Sequence, residues 1–152
     1  LKRDIIEELE DSLQLYFTGF SRKSSKILKE QNLKTIKNNK DLIKNLDHIQ
    51  ALAYEFRKIL KKEKIIEFGK LMNEHWKFKA LRSKNMSNNT IDNVYDYALN
   101  NGALGGKLVG AGGGGFLLFC TNRPSKFRKS MRKTGLKEIR FKFDFEGVKQ
   151  IL

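Results

Sequence analysis

Eight of the chain's 12 glycines fall within the fourteen residues from Gly102 to Gly115, in a stretch NGALGGKLVGAGGGGFLLFC that ends at Cys120. Without a Cβ, glycine accepts positive φ and lets main-chain N–H groups come close to a ligand or a second loop, but it loses more freedom on folding than any other residue. A flexible linker would be Gly/Ser-rich and polar, whereas Leu104, Leu108, Val109 and Ala111 interrupt this one. The stretch reads as a binding loop between a helix end and a strand. The blander alternative is a hairpin without a ligand, its strands Lys107 to Gly110 and Phe116 to Cys120 joined by a tight AGGGG turn. The two common nucleotide fingerprints do not fit: no GK[ST] follows at the P-loop spacing, and no apolar strand feeds a G-x-G-x-x-G into a helix.

The rest of the chain supplies helices and strands around that loop. Ile5, Ile6 and Leu9 share one face of a short opening helix, and LQLYF alternates into a strand that ends at Thr18 and Gly19. Ser21 is placed to cap a following helix, RKSSKILKEQ. The Lys/Asn-rich stretch from Lys34 to Lys44 reads as a solvated connection. Leu42, Leu46, Ile49, Ala53, Phe56 and Leu60 then keep helical spacing over about five turns. A third long pattern carries Ile65, Phe68, Met72, His75 and Trp76; a fourth carries Ile91, Val94, Tyr95 and Ala98 before Gly102 stops it. Pro124 opens a short helix that Gly135 ends, and Ile139, Phe141, Phe143 and Phe145 alternate with Arg140, Lys142 and Asp144 as a half-buried strand. Four strands with a central hairpin and intervening helices predict an α+β fold, an antiparallel sheet covered by helices on one face.

Composition bounds the class. A chain of 152 residues, 39% hydrophobic and 11% aromatic, can bury one core, so a single domain spanning 1–152 is expected. No run approaches the roughly 18 apolar residues of a membrane span. Cys120 is the only cysteine, which excludes an internal disulfide and fits a reducing, cytoplasmic setting. The formal charge of +14 attracts polyanions. Its lysines are spread along nearly every segment without interleaved aromatics, which argues against nucleic acid as the partner and leaves phosphorylated small molecules as anions to be captured.

GALGGKLVGAGGGGFLLF resembles the third conserved motif of the GHMP kinases, whose pattern is close to GA-x-x-K-x-x-GAGGGG followed by a strand. LQLYFTGFSRKSSKILKEQ and LMNEHWKFKALRSKNMSN resemble segments of the bacterial D-glycero-D-manno-heptose 7-phosphate kinases. The serine-rich phosphate loop of those enzymes, P-x-x-x-G-L-G-S-S in the N-terminal domain, has no counterpart here, and Pro124 is the only proline. The resemblance therefore implies the C-terminal domain of a longer kinase, with a ferredoxin-like antiparallel four-stranded sheet and additional helices. It implies ATP-dependent phosphorylation of a sugar phosphate at its anomeric hydroxyl, with ATP and Mg²⁺ bound in the full-length enzyme and this chain inactive alone. Catalytic base, magnesium ligand and phosphate loop would come from the N-terminal domain of the same polypeptide.

By the same resemblance Gly110, Ala111, Gly112, Gly113 and Gly114 would line the active site, supporting the phosphate loop or meeting ligand with backbone N–H groups. Lys107 in the motif points either to the cleft or to solvent. Ser21 and Arg22 stand at a strand-to-helix junction where a helix N-terminus and a guanidinium favour phosphate; they read equally as an ordinary cap beside a surface arginine. His75 and Lys79, one helical turn apart, share a face that could meet substrate, unless His75 is an interior histidine packed beside Trp76. No His, Cys or carboxylate cluster has metal-ligand spacing. Three classes follow: a heptose-phosphate kinase, a kinase for another sugar such as fucose or galactose, and a non-enzymatic binding domain that kept the glycine loop.

Overall fold

The structure is a computed structural model and describes residues 1–19, 29, 33, 40–82, 86–110 and 113–147. Strands β1 (Leu13–Phe17), β2 (Gly105–Val109), β3 (Phe116–Cys120) and β4 (Lys137–Ile139) form one sheet in the order β2-β3-β1-β4, every neighbouring pair antiparallel. The register sets Leu13 opposite Cys120 and Phe17 opposite Phe116, and carries Val109 opposite Phe116 on the other side. This is the antiparallel α+β sheet that the pattern of elements predicted, in the ferredoxin-like arrangement that the resemblance implied.

Five α-helices are described: α1 (Arg3–Ser12), α2 (Lys40–Lys61), α3 (Ile65–Ala80), α4 (Asn89–Asn100) and α5 (Pro124–Met131). The boundaries have local causes. Asn88 caps α4 by accepting from Ile91 N at 3.1 Å. Pro124 opens α5, where its missing N–H is no loss, and a 3₁₀ turn (Arg132–Thr134) closes on Gly135 at φ +74°.

Side chains alternate between the faces of a strand, and here both sets are apolar. On one face Tyr16, Leu108, Leu117 and Phe119 meet Ile91, Tyr95 and Ala98 of α4 and Phe127 and Met131 of α5 or its end. On the other, Leu13, Leu118 and Cys120 meet Leu9 of α1, Phe56 and Leu60 of α2, and Ile65, Phe68 and Met72 of α3. Helices thus cover both faces rather than the expected one, because LQLYF and FLLFC leave apolar residues on both sides that must be shielded from water. Gln14, the polar exception, is buried and satisfied. Its Nε2 donates to Pro124 O at 2.8 Å and its Oε1 accepts from Tyr16 Oη at 2.6 Å.

Two boundaries differ from expectation. The last strand is confined to Lys137–Ile139, although alternation continues to Phe145. Beyond it, Glu10 of α1 accepts the Phe143 N–H at 2.7 Å, a bond no strand supplies, while Phe141 and Phe143 still pack on the second core cluster and Phe145 is exposed. Lys40 to Lys44, expected in a connection, instead form the first turn of α2, anchored by buried Leu42; residues 34–39 lie outside the described residues. So do Ser21, Arg22 and, Lys29 apart, the helix expected after them.

Candidate functional site

The glycine stretch divides into two parts with different tasks. Where α3 crosses β2, a Cβ on Gly105 would lie 2.1 Å from Gly69 O and 2.7 Å from Asn73 N, and one on Gly69 would lie 2.7 Å from Leu104 Cβ. These glycines let helix and strand backbones touch. The next residue is pinned at the sheet edge by Tyr95: its Oη accepts from Gly106 N at 3.1 Å and lies 2.9 Å from both Gly106 O and Asn73 Oδ1.

Beyond Val109 the backbone turns left-handed, at φ +91° for Gly110, +76° for Gly113, +148° for Gly114 and +106° for Gly115. L-residues rarely adopt these angles, so the loop's shape requires glycine. A Cβ on Gly110 would meet nothing within 4 Å, so the loop is open on that side. The loop is also fastened. Thr18 N donates to Gly115 O at 2.9 Å, Thr18 Oγ1 accepts from Gly115 N at 3.0 Å, and Gly113 N donates to Met86 O at 2.9 Å. At its other root, Lys79 Nζ donates to Leu108 O at 3.2 Å and to Gly110 O at 2.6 Å.

Lys79 stands in a group of cations. Burial first, then the charges of Lys107 and Arg82, lowers its pKa to about 8. Burial likewise pushes Lys107 and Arg82 downward. His75, one turn before Lys79 and edge-on to Phe56 at 6.2 Å, is lowered to about 4 by burial and then by Lys107, Lys79 and Arg82. It is neutral at pH 7, and its Nδ1 is buried without a hydrogen-bond partner.

The structure thus brings together His75, Lys79, Lys107 and Gly110 of the expected residues, with Gly113 and Gly114 further along the same loop; Ser21, Arg22, Ala111 and Gly112 lie outside the described residues. Thr18, Met86 and Arg82 join them without having been anticipated. Arg82 could have been found, since it follows Lys79 by three positions, whereas Thr18 reaches Gly115 across 97 residues. Among the described residues no group of three or more His, Cys, Asp or Glu is placed to hold a metal ion. No described helix is long and apolar enough to cross a membrane.

Residues 28–136 match the family described as GHMP kinases C terminal. Over 151 residues the chain is 30% identical to a D-glycero-alpha-D-manno-heptose 7-phosphate kinase of Campylobacter jejuni, covering 98% of this chain and 44% of that protein. Over 125 residues it is 30% identical to the bifunctional fucokinase/GDP-fucose pyrophosphorylase of Arabidopsis thaliana, covering 82% of the chain and 12% of that protein. The chain therefore spans less than half the length of either relative. In fold it is similar to L. major mevalonate kinase crystallised with R-mevalonate, with TM-score 0.72 at 20% identity over 80% of this chain and 36% of that one. The family match over most of the sequence, with the shared sheet and helices, establishes that the chain belongs to the GHMP kinases, as their C-terminal domain.

Proposed function

We propose that this chain is the C-terminal part of an ATP-dependent kinase that phosphorylates the anomeric hydroxyl of D-glycero-D-manno-heptose 7-phosphate. The observation that carries the reading is the fastened glycine hairpin, in a sequence aligned along nearly its whole length with a heptose 7-phosphate kinase. Phosphoryl transfer depends on positioning and on stabilising charge, with little covalent chemistry asked of the protein. A loop held from both roots, open at Gly110 and backed by Lys79, Lys107 and Arg82, suits a role in positioning anionic groups. ATP and Mg²⁺ would supply the phosphoryl group and its charge neutralisation. Their phosphate loop, the magnesium carboxylate and any base would belong to an N-terminal domain of the same polypeptide, and the reaction would run in the cytoplasm, where ATP is held.

Within the proposal Gly110, Gly113 and Gly114 present backbone toward that cleft together with Ala111 and Gly112. Ser21, Arg22, His75 and Lys107 are the candidates for contact with the substrate, and Lys79 acts on it through the loop carbonyls it holds. A second reading, a fucose or galactose kinase, draws on the similarity to the Arabidopsis fucokinase. The test is ADP release by the protein with its upstream sequence, given ATP, Mg²⁺ and a panel of free and phosphorylated sugars. Turnover with heptose 7-phosphate alone supports the first reading, turnover with a free sugar the second. No turnover on any sugar favours a non-enzymatic binding domain.

A further inference from the structure

We infer that Lys79 is a positioning residue that latches the glycine hairpin into its working shape, an inference that rests on the kinase reading above. Lys79 lies in the last turn of α3 and sends Nζ across to β2, 3.2 Å from Leu108 O and 2.6 Å from Gly110 O. Those carbonyls flank Val109, whose pairing with Phe116 ends the β2–β3 ladder; the next residue, Gly110, turns to φ +91°. Rotating the peptide after Gly110 would carry its carbonyl away from the ammonium, so a cation bridging both oxygens selects one path for the turn. Charge-assisted bonds of this kind are roughly twice as strong as neutral ones. The far root is held differently, by the Thr18 hydroxyl and the Thr18 and Met86 backbones, with no charge involved.

The charged and titratable groups that face Lys79 are Lys107 on β2, Arg82 just past α3 and His75 one turn back. Burial, and then the charges of Lys107 and Arg82, hold the Lys79 pKa down at about 8. Below that pH the latch is charged; above it the neutral amine holds the carbonyls more weakly, so turnover declines as pH rises through about 8. Folding stability responds in the opposite sense. The folded pKa lies under the ordinary lysine value of 10.5, so the unfolded chain binds more protons between about 8 and 10.5, and the Lys79 contribution to stability rises with pH across that window. A residue that served the fold alone would not yield a falling turnover against rising stability.

The test uses the protein with its upstream sequence, as wild type, Lys79→Met and Lys79→Arg, assayed for kcat and KM from pH 6 to 10. Small displacements of catalytic geometry can cost up to about a hundredfold in rate. Lys79→Met is expected to lower kcat by about tenfold to a hundredfold, with KM for the sugar changed less than about twofold, and to abolish the decline near pH 8. Lys79→Arg, whose guanidinium does not deprotonate, should recover much of kcat and lack that decline. A rise in KM with kcat intact would make Lys79 a substrate ligand and overturn the latch. So would a decline near pH 8 that persists in Lys79→Arg, which decides the matter if Lys79→Met fails to fold. Wild type without turnover on any sugar sinks the kinase reading instead. Hydrogen exchange in the same proteins then judges the latch alone: faster exchange at Gly113 and Gly115 in Lys79→Met upholds it, and equal exchange in all three refutes it.

Discussion

Gly105 and Gly113 are both part of one glycine-rich motif, yet they are glycine for unrelated reasons. At Gly105 the constraint is space, since a methyl group would press into the α3 backbone at Gly69 and Asn73. Gly105→Ala should lower stability by about 1–3 kcal/mol, read from urea unfolding, because overpacking forces backbone apart. At Gly113 the constraint is conformation. Gly113→Val would place a β-branched residue at φ +76° and is expected to reduce turnover of the full-length kinase severely, whereas unchanged turnover would refute the loop's assigned role. His75 makes a third prediction. Its folded pKa of about 4 lies below the ordinary 6.5, so the unfolded chain binds more protons between those values and stability drops as pH falls from 6.5 toward 4. Thermal unfolding across that range should show the slope in wild type and a flatter one in His75→Leu.

Thr18 joins two elements that the chain keeps far apart. Its backbone and hydroxyl carry the β1–β3 pairing one position past Phe17 and Phe116 and hold Gly115 where the loop re-enters the sheet. Thr18→Val keeps the shape and removes the hydroxyl, so it should cost about 1 kcal/mol and speed exchange of the Gly115 amide; protection equal to wild type would show that the backbone bonds suffice. Elements were legible wherever a period ran long. The spacing of Leu42 to Leu60 reads as α2, and LQLYF reads as β1, because each pattern matches a single regular structure. The end of β4 was not legible. Ile139 to Phe145 alternates as a strand should, but past Ile139 the Phe143 N–H is claimed by Glu10, 133 residues away, and such a competitor leaves no trace in the local pattern.

Phe119 sits where the whole molecule comes together. It is fully buried, and its ring lies 6.2 Å from Tyr16, 5.6 Å from Tyr95 and 5.8 Å from Phe127, on three separate elements. Phe119→Ala should cost about 3–5 kcal/mol in denaturant unfolding, with a loss below about 1 kcal/mol showing that the sheet and α4–α5 do not depend on a shared core. The net charge of +14 was evident from composition, but its use was not: many of the lysines are ordinary surface charges, while Lys79 of α3, Lys107 of β2 and Arg82 just past α3 converge beside one loop. What could be known from residue order alone was the α+β class, most helix and strand spans, and the glycine motif, since those depend on period and on local backbone freedom. Only the folded chain revealed that helices cover both faces of the sheet, that Gly105 and Gly106 of the motif serve helix packing and an edge contact, and that Lys79 and Thr18 grip the loop from either side. Those outcomes depend on side chains distant in sequence competing for the same hydrogen-bonding groups and the same space, a competition decided when the layers pack.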